Sequence, residues 1–257
     1  MANIQKFKTT DVVTLLRHNA REIANPTNPD IDPSRSHLNY SVGPEQGKPA
    51  YEIYRDRLRE LYVYGRRDVV TMVGVVVTVP KELQTDAEQC EFFEATYDFL
   101  SARYGERNVV QAIVHMDEGK TVFVRNADGS KILDENGKPV RELRLGSPHL
   151  HFNFIPAVQD PNPRHSQSEK VCANELLTRS EFKRFHGEFQ HYLDSRGIRA
   201  NVNTGVTKGQ NLTVEQLKDR TDMMQEIEKL QRQLQTVRME NERLQQVERT
   251  RSRGFSW

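Results

Sequence analysis

The chain has 257 residues, enough for one good-sized domain with an appendage or for two small domains. Its 37 basic and 36 acidic side chains leave a formal charge of +1, so no overall field draws it to nucleic acid or to an anionic membrane, and any DNA-binding surface has to be local. With 36% hydrophobic residues and no apolar run of about 18 residues, a membrane-spanning helix is excluded, and the sequence predicts a cytoplasmic protein.

The first periodic segment, Thr9 to Asn25, places Val12, Val13, Leu15, Leu16 and Ile23 on a helix that starts near Thr10 or Asp11 and carries His18. The stretch PTNPDIDPSRSHLNY at 26–40 is rich in Pro, Asx and Ser and reads as an ordered loop bearing Arg35, His37, Asn39 and Tyr40. Residues 50–64 form an amphipathic helix stopped by Gly65, and 69–79 a buried strand stopped by Pro80. Thr85 and Glu88 make a capping box for a helix through Ala102 with Gly105 as terminator, and NVVQAIVHMD at 108–117 is a second strand.

Turn signals between 119 and 147 predict a hairpin excursion, with Lys120, Arg125, Lys131, Arg141 and Arg144 as its cations. The chain returns as a half-buried strand, HLHFNFIP at 149–156, with His149, His151 and Asn153 on one face and Leu150, Phe152 and Phe154 on the other. A connector at 157–168 leads to a second capping box, Thr178 with Glu181, and to a helix that turns Phe182, Phe185, Phe189 and Leu193 inward and closes at Gly197. Strands and helices mix as an α+β fold around an antiparallel sheet.

From about residue 213 a seven-residue repeat places Met223, Ile227, Leu230, Leu234, Val237, Asn241 and Leu244 at alternating a and d positions. This predicts two regions, a domain over 1–210 and a coiled-coil tail over 211–257 through which two copies would pair. Cys90 and Cys172 have no metal-ligand spacing and are expected to be reduced.

The chemistry lies in the histidines. His149 and His151 lie about 6.6–6.8 Å apart on one strand face, close enough to share a divalent ion. If the strand ending His115-Met116-Asp117-Glu118 pairs beside them, a third imidazole and a carboxylate reach the same rim. That donor set suits manganese, cobalt, nickel or zinc, and magnesium where substrate phosphate oxygens and water complete the octahedron; manganese or magnesium is the expected working ion. The attacking group is then a protein side chain, with His18 and Tyr40 as candidates. A neutral imidazole is nucleophilic without a base, whereas a free tyrosine at neutral pH is protonated.

The runs RHNAREI, NPDIDPSRSHLNY, HMDE and SPHLHFNFIP, in this order over about residues 1–205, resemble the Mob/Pre family of plasmid mobilisation and recombination proteins, the MobV-type relaxases within the HUH endonucleases. The resemblance implies an antiparallel-sheet HUH relaxase domain with flanking helices, which nicks an origin of transfer by metal-assisted transesterification. By the same token the family pattern HNxR matches His18, Asn19 and Arg21, and implies that His18 forms the covalent bond to the 5′ end of the nicked strand. The patterns HxDE and PHxH match His115, Asp117 and Glu118, and Pro148, His149 and His151; they imply His115, His149 and His151 as metal ligands with Glu118 in support. Tyr40 matches a family tyrosine and is the second candidate nucleophile. One departure stands out: residues 119–148 intervene between motifs that compact members hold a few residues apart, so Glu118 begins an excursion. Arg17, Arg35, Asn39, Arg66 and Arg67, beside the motifs, are the candidate DNA contacts. Two other functions remain open at this stage, a rolling-circle replication initiator using Tyr40 and a non-catalytic DNA-binding protein with a structural metal.

Overall fold

The computed structural model describes residues 2–23, 28, 30–43, 47–126, 129–203 and 230–240. The chain divides into two compact units, Met1–Thr204 and Gly205–Trp257.

The first unit is built on a five-stranded antiparallel sheet: β1 (Ala2–Lys8), β3 (Val70–Thr78), β7 (His149–Phe154), β4 (Val109–His115) and β2 (Tyr40–Ser41), in that spatial order. β1 had no sequence signal, because an edge strand that buries few side chains needs little apolar alternation. β7 is the middle strand, flanked on both sides by chain segments distant in sequence. Its alternation is as expected, and the Val75, Val77, Val114, Leu150, Phe152 and Phe154 side chains fall on one face. That face is covered by α3 (Asp86–Tyr104) and, after the short α4 (Ala173–Leu176), by α5 (Arg179–Ser195), through Phe92, Phe93, Leu100, Phe185, Phe189 and Leu193.

The opposite face is covered by α1 (Thr9–Asn19) and α2 (Ala50–Arg59), through Val12, Leu16 and Tyr54 against Met72 and Val110. A register shift between Val109 and Gln111 inserts Val110 as a bulge, after which Gln111, Ile113 and His115 share this second face with Asn153, His151 and His149. Both helices stop earlier than their periodicity predicts. α1 ends at Asn19 because Arg21 adopts φ +57°, and after α2 the segment at Tyr62 leaves the helix to bond Glu169 and Val171.

Three further expectations change. The connector at 157–168 holds a small ladder of β8 (Ala157–Gln159) with β9 (Glu169–Val171). Phe182 does not face inward but is 44% exposed. Glu181 completes no reciprocal box: Thr178 Oγ1 accepts from its backbone N–H, while its carboxylate accepts from Arg103 and from Tyr104 on α3, tying α5 to α3. The excursion after residue 118 is present as β5 (Gly119–Phe123) paired with β6 (Arg141–Leu145).

In the second unit, residues 230–240 are helical, and Leu230, Leu234 and Val237 are exposed. The remaining heptad positions, Met223, Ile227, Asn241 and Leu244, lie outside the described residues. Among the described residues, no helix is long and apolar enough to cross a membrane.

Candidate metal centre

Pairing of β4 with β7 sets His115 directly opposite His149 and Ile113 opposite His151, so the three imidazoles rise from adjacent strands on one face. Their ring centroids are 4.5–5.5 Å apart. Glu118 turns back from the start of the excursion into this group, its two oxygens each 3.3 Å from one imidazole nitrogen, Nδ1 of His115 and Nε2 of His149. One ligand atom from each of His115, Glu118, His149 and His151 lies within 4.8 Å of the others. Glu118 thus stands as a full member of the cluster rather than a support behind it.

The outer contacts fix which nitrogens point inward. His115 donates its Nε2–H to the Asn19 carbonyl at 2.8 Å, and His149 donates Nδ1–H to the Ser147 carbonyl at 3.3 Å, leaving lone pairs on His115 Nδ1 and His149 Nε2. His115 Nδ1 and His151 Nε2 are buried without a hydrogen-bond partner among the described residues. Buried, unsatisfied, inward-facing nitrogens beside a carboxylate are what a divalent cation satisfies, so the donor set fits manganese and its neighbours in the series.

Electrostatics agree with that reading. Burial pushes the His151 pKa well down, and the neighbouring His115 and His149 push it further, so the ring is neutral and able to ligate. Burial works to raise the Glu118 pKa, but the His115 and His149 rings beside it, with Arg21 beyond, outweigh it and hold the carboxylate ionised.

The end of α1 is fastened over this centre at two points. Asn19 takes the His115 bond, and the Leu16 carbonyl accepts from Gln111 at 3.1 Å; Gln111 in turn accepts from Asn153 at 3.3 Å. His18 lies between these two anchors, half-buried, and feels the charges of Arg21, Glu118, His115 and Asp117. Burial first and Arg21 second lower its pKa below 6.5, favouring the neutral imidazole. Arg21 grips Asp117 with two bonds, Nε at 2.9 Å and Nη2 at 2.7 Å, and the same Nη2 reaches Glu118 at 2.7 Å. The left-handed backbone at Arg21 is a strained conformation for a residue with a side chain, and this double grip holds it.

Other expected residues are placed elsewhere. Tyr40 pairs with Val114, one register position from His115, and so points to the α3 face, where its hydroxyl lies 3.6 Å from Cys90 Sγ. Burial raises its pKa further above the ordinary phenol value, so Tyr40 is both on the wrong side of the sheet and hard to ionise. Asn39 accepts from the Met116 backbone N–H at 2.7 Å, and Arg35 reaches the Met116 carbonyl at 3.4 Å; both brace the loop, and Asn39 is turned inward rather than toward a ligand. Arg17 is exposed on α1 beside Glu22. Arg66 and Arg67 precede Val70, at the opposite end of β3 from Thr78, which pairs with His149, so they do not join the site.

The Mob_Pre family profile, described as plasmid recombination enzyme, matches residues 1–219. The chain belongs to this family. A plasmid recombination enzyme of Bacillus thuringiensis is 26% identical over 233 residues, covering 89% of this chain and 44% of that one. One from a Bacillus species is 30% identical over 203 residues, covering 72% of this chain and 46% of its own length. The chain spans about half the length of the curated relatives it matches. Among solved structures, the MobM relaxase domain bound to plasmid pMV158 oriT DNA, a Mn-bound crystal structure, superposes with TM-score 0.63 at 22% identity, covering 86% of this chain and 97% of that chain. The two share the fold.

Within the Mob/Pre chain, sequence reasoning gave no role to Asp117, Ser36, Gln111 or Asn153. Asp117 is fully buried and accepts from Arg21 and, at 2.7 Å, from Ser36. Gln111 carried a signal that went unused: a lone polar residue inside NVVQAIVH, in phase with His115.

Proposed function

We propose that residues 1–210 nick and rejoin one strand of DNA at an origin of transfer, with His18 as the nucleophile and His115, Glu118, His149 and His151 holding a manganese or magnesium ion, in plasmid mobilisation and recombination. The observation that carries this is the bond from His115 to the Asn19 carbonyl, which joins the ligand cluster to the helix end bearing His18. The MobM relaxase domain, which shares the fold, is described as Mn-bound on origin DNA, and this supports the same substrate class here.

A divalent ion in the cluster supplies charge withdrawal from a non-bridging phosphate oxygen. The rest of the step belongs to the chain. A neutral His18 nitrogen gives its lone pair to phosphorus; the P–N bond forms, the P–O3′ bond breaks, the imidazole proton is lost, and the departing 3′ oxygen takes up a proton. The protein then holds the 5′ phosphate covalently, and attack by a 3′-hydroxyl reverses the step and reseals the strand. Arg21 keeps Asp117 and Glu118 in place beneath it. A cytoplasmic protein paired through the 211–257 tail is part of the same proposal, supported by the exposed Leu230, Leu234 and Val237.

The test is intact-protein and peptide mass spectrometry after reaction with manganese and an origin-bearing oligonucleotide. The adduct is expected on the peptide containing His18, lost in His18→Ala and retained in Tyr40→Phe. An adduct on Tyr40 overturns the assignment, and no adduct with any origin sequence of the element overturns the nicking function.

A further inference from the structure

Between Glu118 and His149 the chain leaves the sheet and returns, and the described residues of the excursion are tied together by backbone hydrogen bonds. Val124 N–H bonds the Val140 carbonyl at 3.0 Å, Val140 N–H the Ile132 carbonyl at 2.8 Å, and Ile132 N–H the Val124 carbonyl at 2.9 Å. These three bonds close a ring where three short ladders meet: β5 with β6, Arg125 opposite Lys131, and Leu133 opposite Pro139. The root is fixed to the metal centre. Gly119 N–H bonds the Asp30 carbonyl and Gly146 N–H bonds the Glu118 carbonyl, at 2.8 and 2.9 Å. A side chain at Gly119 would come within 2.3 Å of the Arg144 carbonyl, so the strands cross too closely for anything larger.

Beyond this root the surface chemistry is uneven. Lys131 Nζ lies 4.1 Å and Arg141 Cζ 4.8 Å from the centre of the Phe123 ring, and Arg125 is the direct cross-strand partner of Lys131. All three cations are exposed. The carboxylate of Glu142 falls on the other side of the β5–β6 pleat from Phe123 and Arg141, where it pairs with Arg144 at 2.7 Å. Two cations thus crowd one aromatic ring, and a third, Arg125, lies across the strand from one of them with its Nη1 on the Gly129 carbonyl at 2.9 Å; none of the three is paired with a carboxylate among the described residues. Like charges gathered this way repel unless an anion lies among them, and an aromatic ring flanked by Arg and Lys is the surface on which a nucleic-acid base stacks while its phosphates are neutralised.

We infer that the 119–148 excursion is a DNA-holding arm, in which Phe123 stacks on a base and Arg125, Lys131 and Arg141 take phosphates of the single strand that runs to the metal centre. The inference rests on the nicking function proposed above and adds to it a strand-binding surface separate from the ligand cluster. Because the arm is rooted on Glu118 and His149, a strand held there is delivered to the cluster.

The experiment measures binding of a fluorescein-labelled, mixed-sequence single strand of about 30 nucleotides by anisotropy, in full-length protein with manganese, across a salt series. The Arg125→Gln/Lys131→Gln/Arg141→Gln variant is expected to reduce the slope of log affinity against log salt by about 2, since each lost phosphate contact on a single strand removes about 0.7. Phe123→Leu, which keeps an apolar side chain, is expected to weaken binding about tenfold while leaving the slope unchanged. Arg144→Gln, on the other side of the pleat, should change neither. Wild-type slope and affinity in both the triple variant and Phe123→Leu, or an equal loss from Arg144→Gln, overturns the arm. Manganese titration of each variant reports whether the ligand cluster is intact; if the triple variant fails to fold, Phe123→Leu decides alone. A wild-type protein that binds no strand at all removes the nicking proposal along with the arm, whereas wild-type binding with unaffected variants removes the arm only.

Discussion

The Nε2–H of His115 donates to the backbone carbonyl of Asn19 across 2.8 Å, and through this bond a histidine on the central sheet holds the C-terminal end of α1. One hydrogen bond therefore performs two tasks: it turns the His115 Nδ1 lone pair toward Glu118, and it ties the candidate metal centre to the helix end that carries His18.

The first prediction concerns metal and stability. An ion that binds only the folded cluster stabilises it by about 2.7 kcal/mol when present at about a hundred times its dissociation constant. For a domain of this size that is a rise of roughly 5–10 °C in Tm. Differential scanning fluorimetry with manganese should show the rise in the wild type, its reversal by EDTA, and its absence in His151→Ala. A variant that still responds fully would mean the ion binds elsewhere.

Arg21 offers a second. Its guanidinium is the partner of the fully buried Asp117, so Arg21→Ala leaves that carboxylate uncompensated, at a cost of about 3–5 kcal/mol. Arg21→Lys keeps the charge but cannot form the two-pronged bond, and should lose about 1.5–3 kcal/mol. Urea denaturation of the three proteins gives the order wild type, Lys, Ala; an Ala variant as stable as wild type would show that the grip on Asp117 is unimportant.

A third follows from His18. Burial and the nearby Arg21 lower its pKa, so the neutral, attacking form persists to a lower pH than for a free imidazole. The acidic limb of adduct formation, measured at saturating manganese, should fall below pH 6.5. A limb centred above that value would point to another nucleophile.

Tyr104 contributes to the alkaline behaviour. Burial, then the adjacent Glu181, raise its pKa above 10 in the folded protein. The unfolded chain gives up the proton first, so this group's contribution to stability is complete below pH 10 and is lost as the pH rises toward the displaced folded value. Urea midpoints taken between about pH 9 and 11 should fall in the wild type and fall less in Tyr104→Phe. Equal slopes would exclude Tyr104 as a source.

Much of the centre was legible in the residues themselves. Alternation along a strand is a property of the local backbone, so HLHFNF alone assigned His149 and His151 to one face and Leu150, Phe152 and Phe154 to the other. The excursion, the helix capped at Thr85 and the α+β class followed from equally short-range signals, turn residues and caps.

What the sequence left open were choices between partners far apart in the chain. Whether His115 stands opposite His149, whether Glu118 returns to the cluster after starting an excursion, and which face Tyr40 joins all depend on which strands pair and in what register. A shift of one residue would have set Tyr40 opposite His115 instead of Val114 and turned it to the face that carries the imidazoles. Arg66 and Arg67 stand near a motif in the sequence but at the far end of β3, because a strand carries its two ends apart by its whole length. Local chemistry named the donors; only long-range pairing, chosen by burial of the two sheet faces, decided which of them meet.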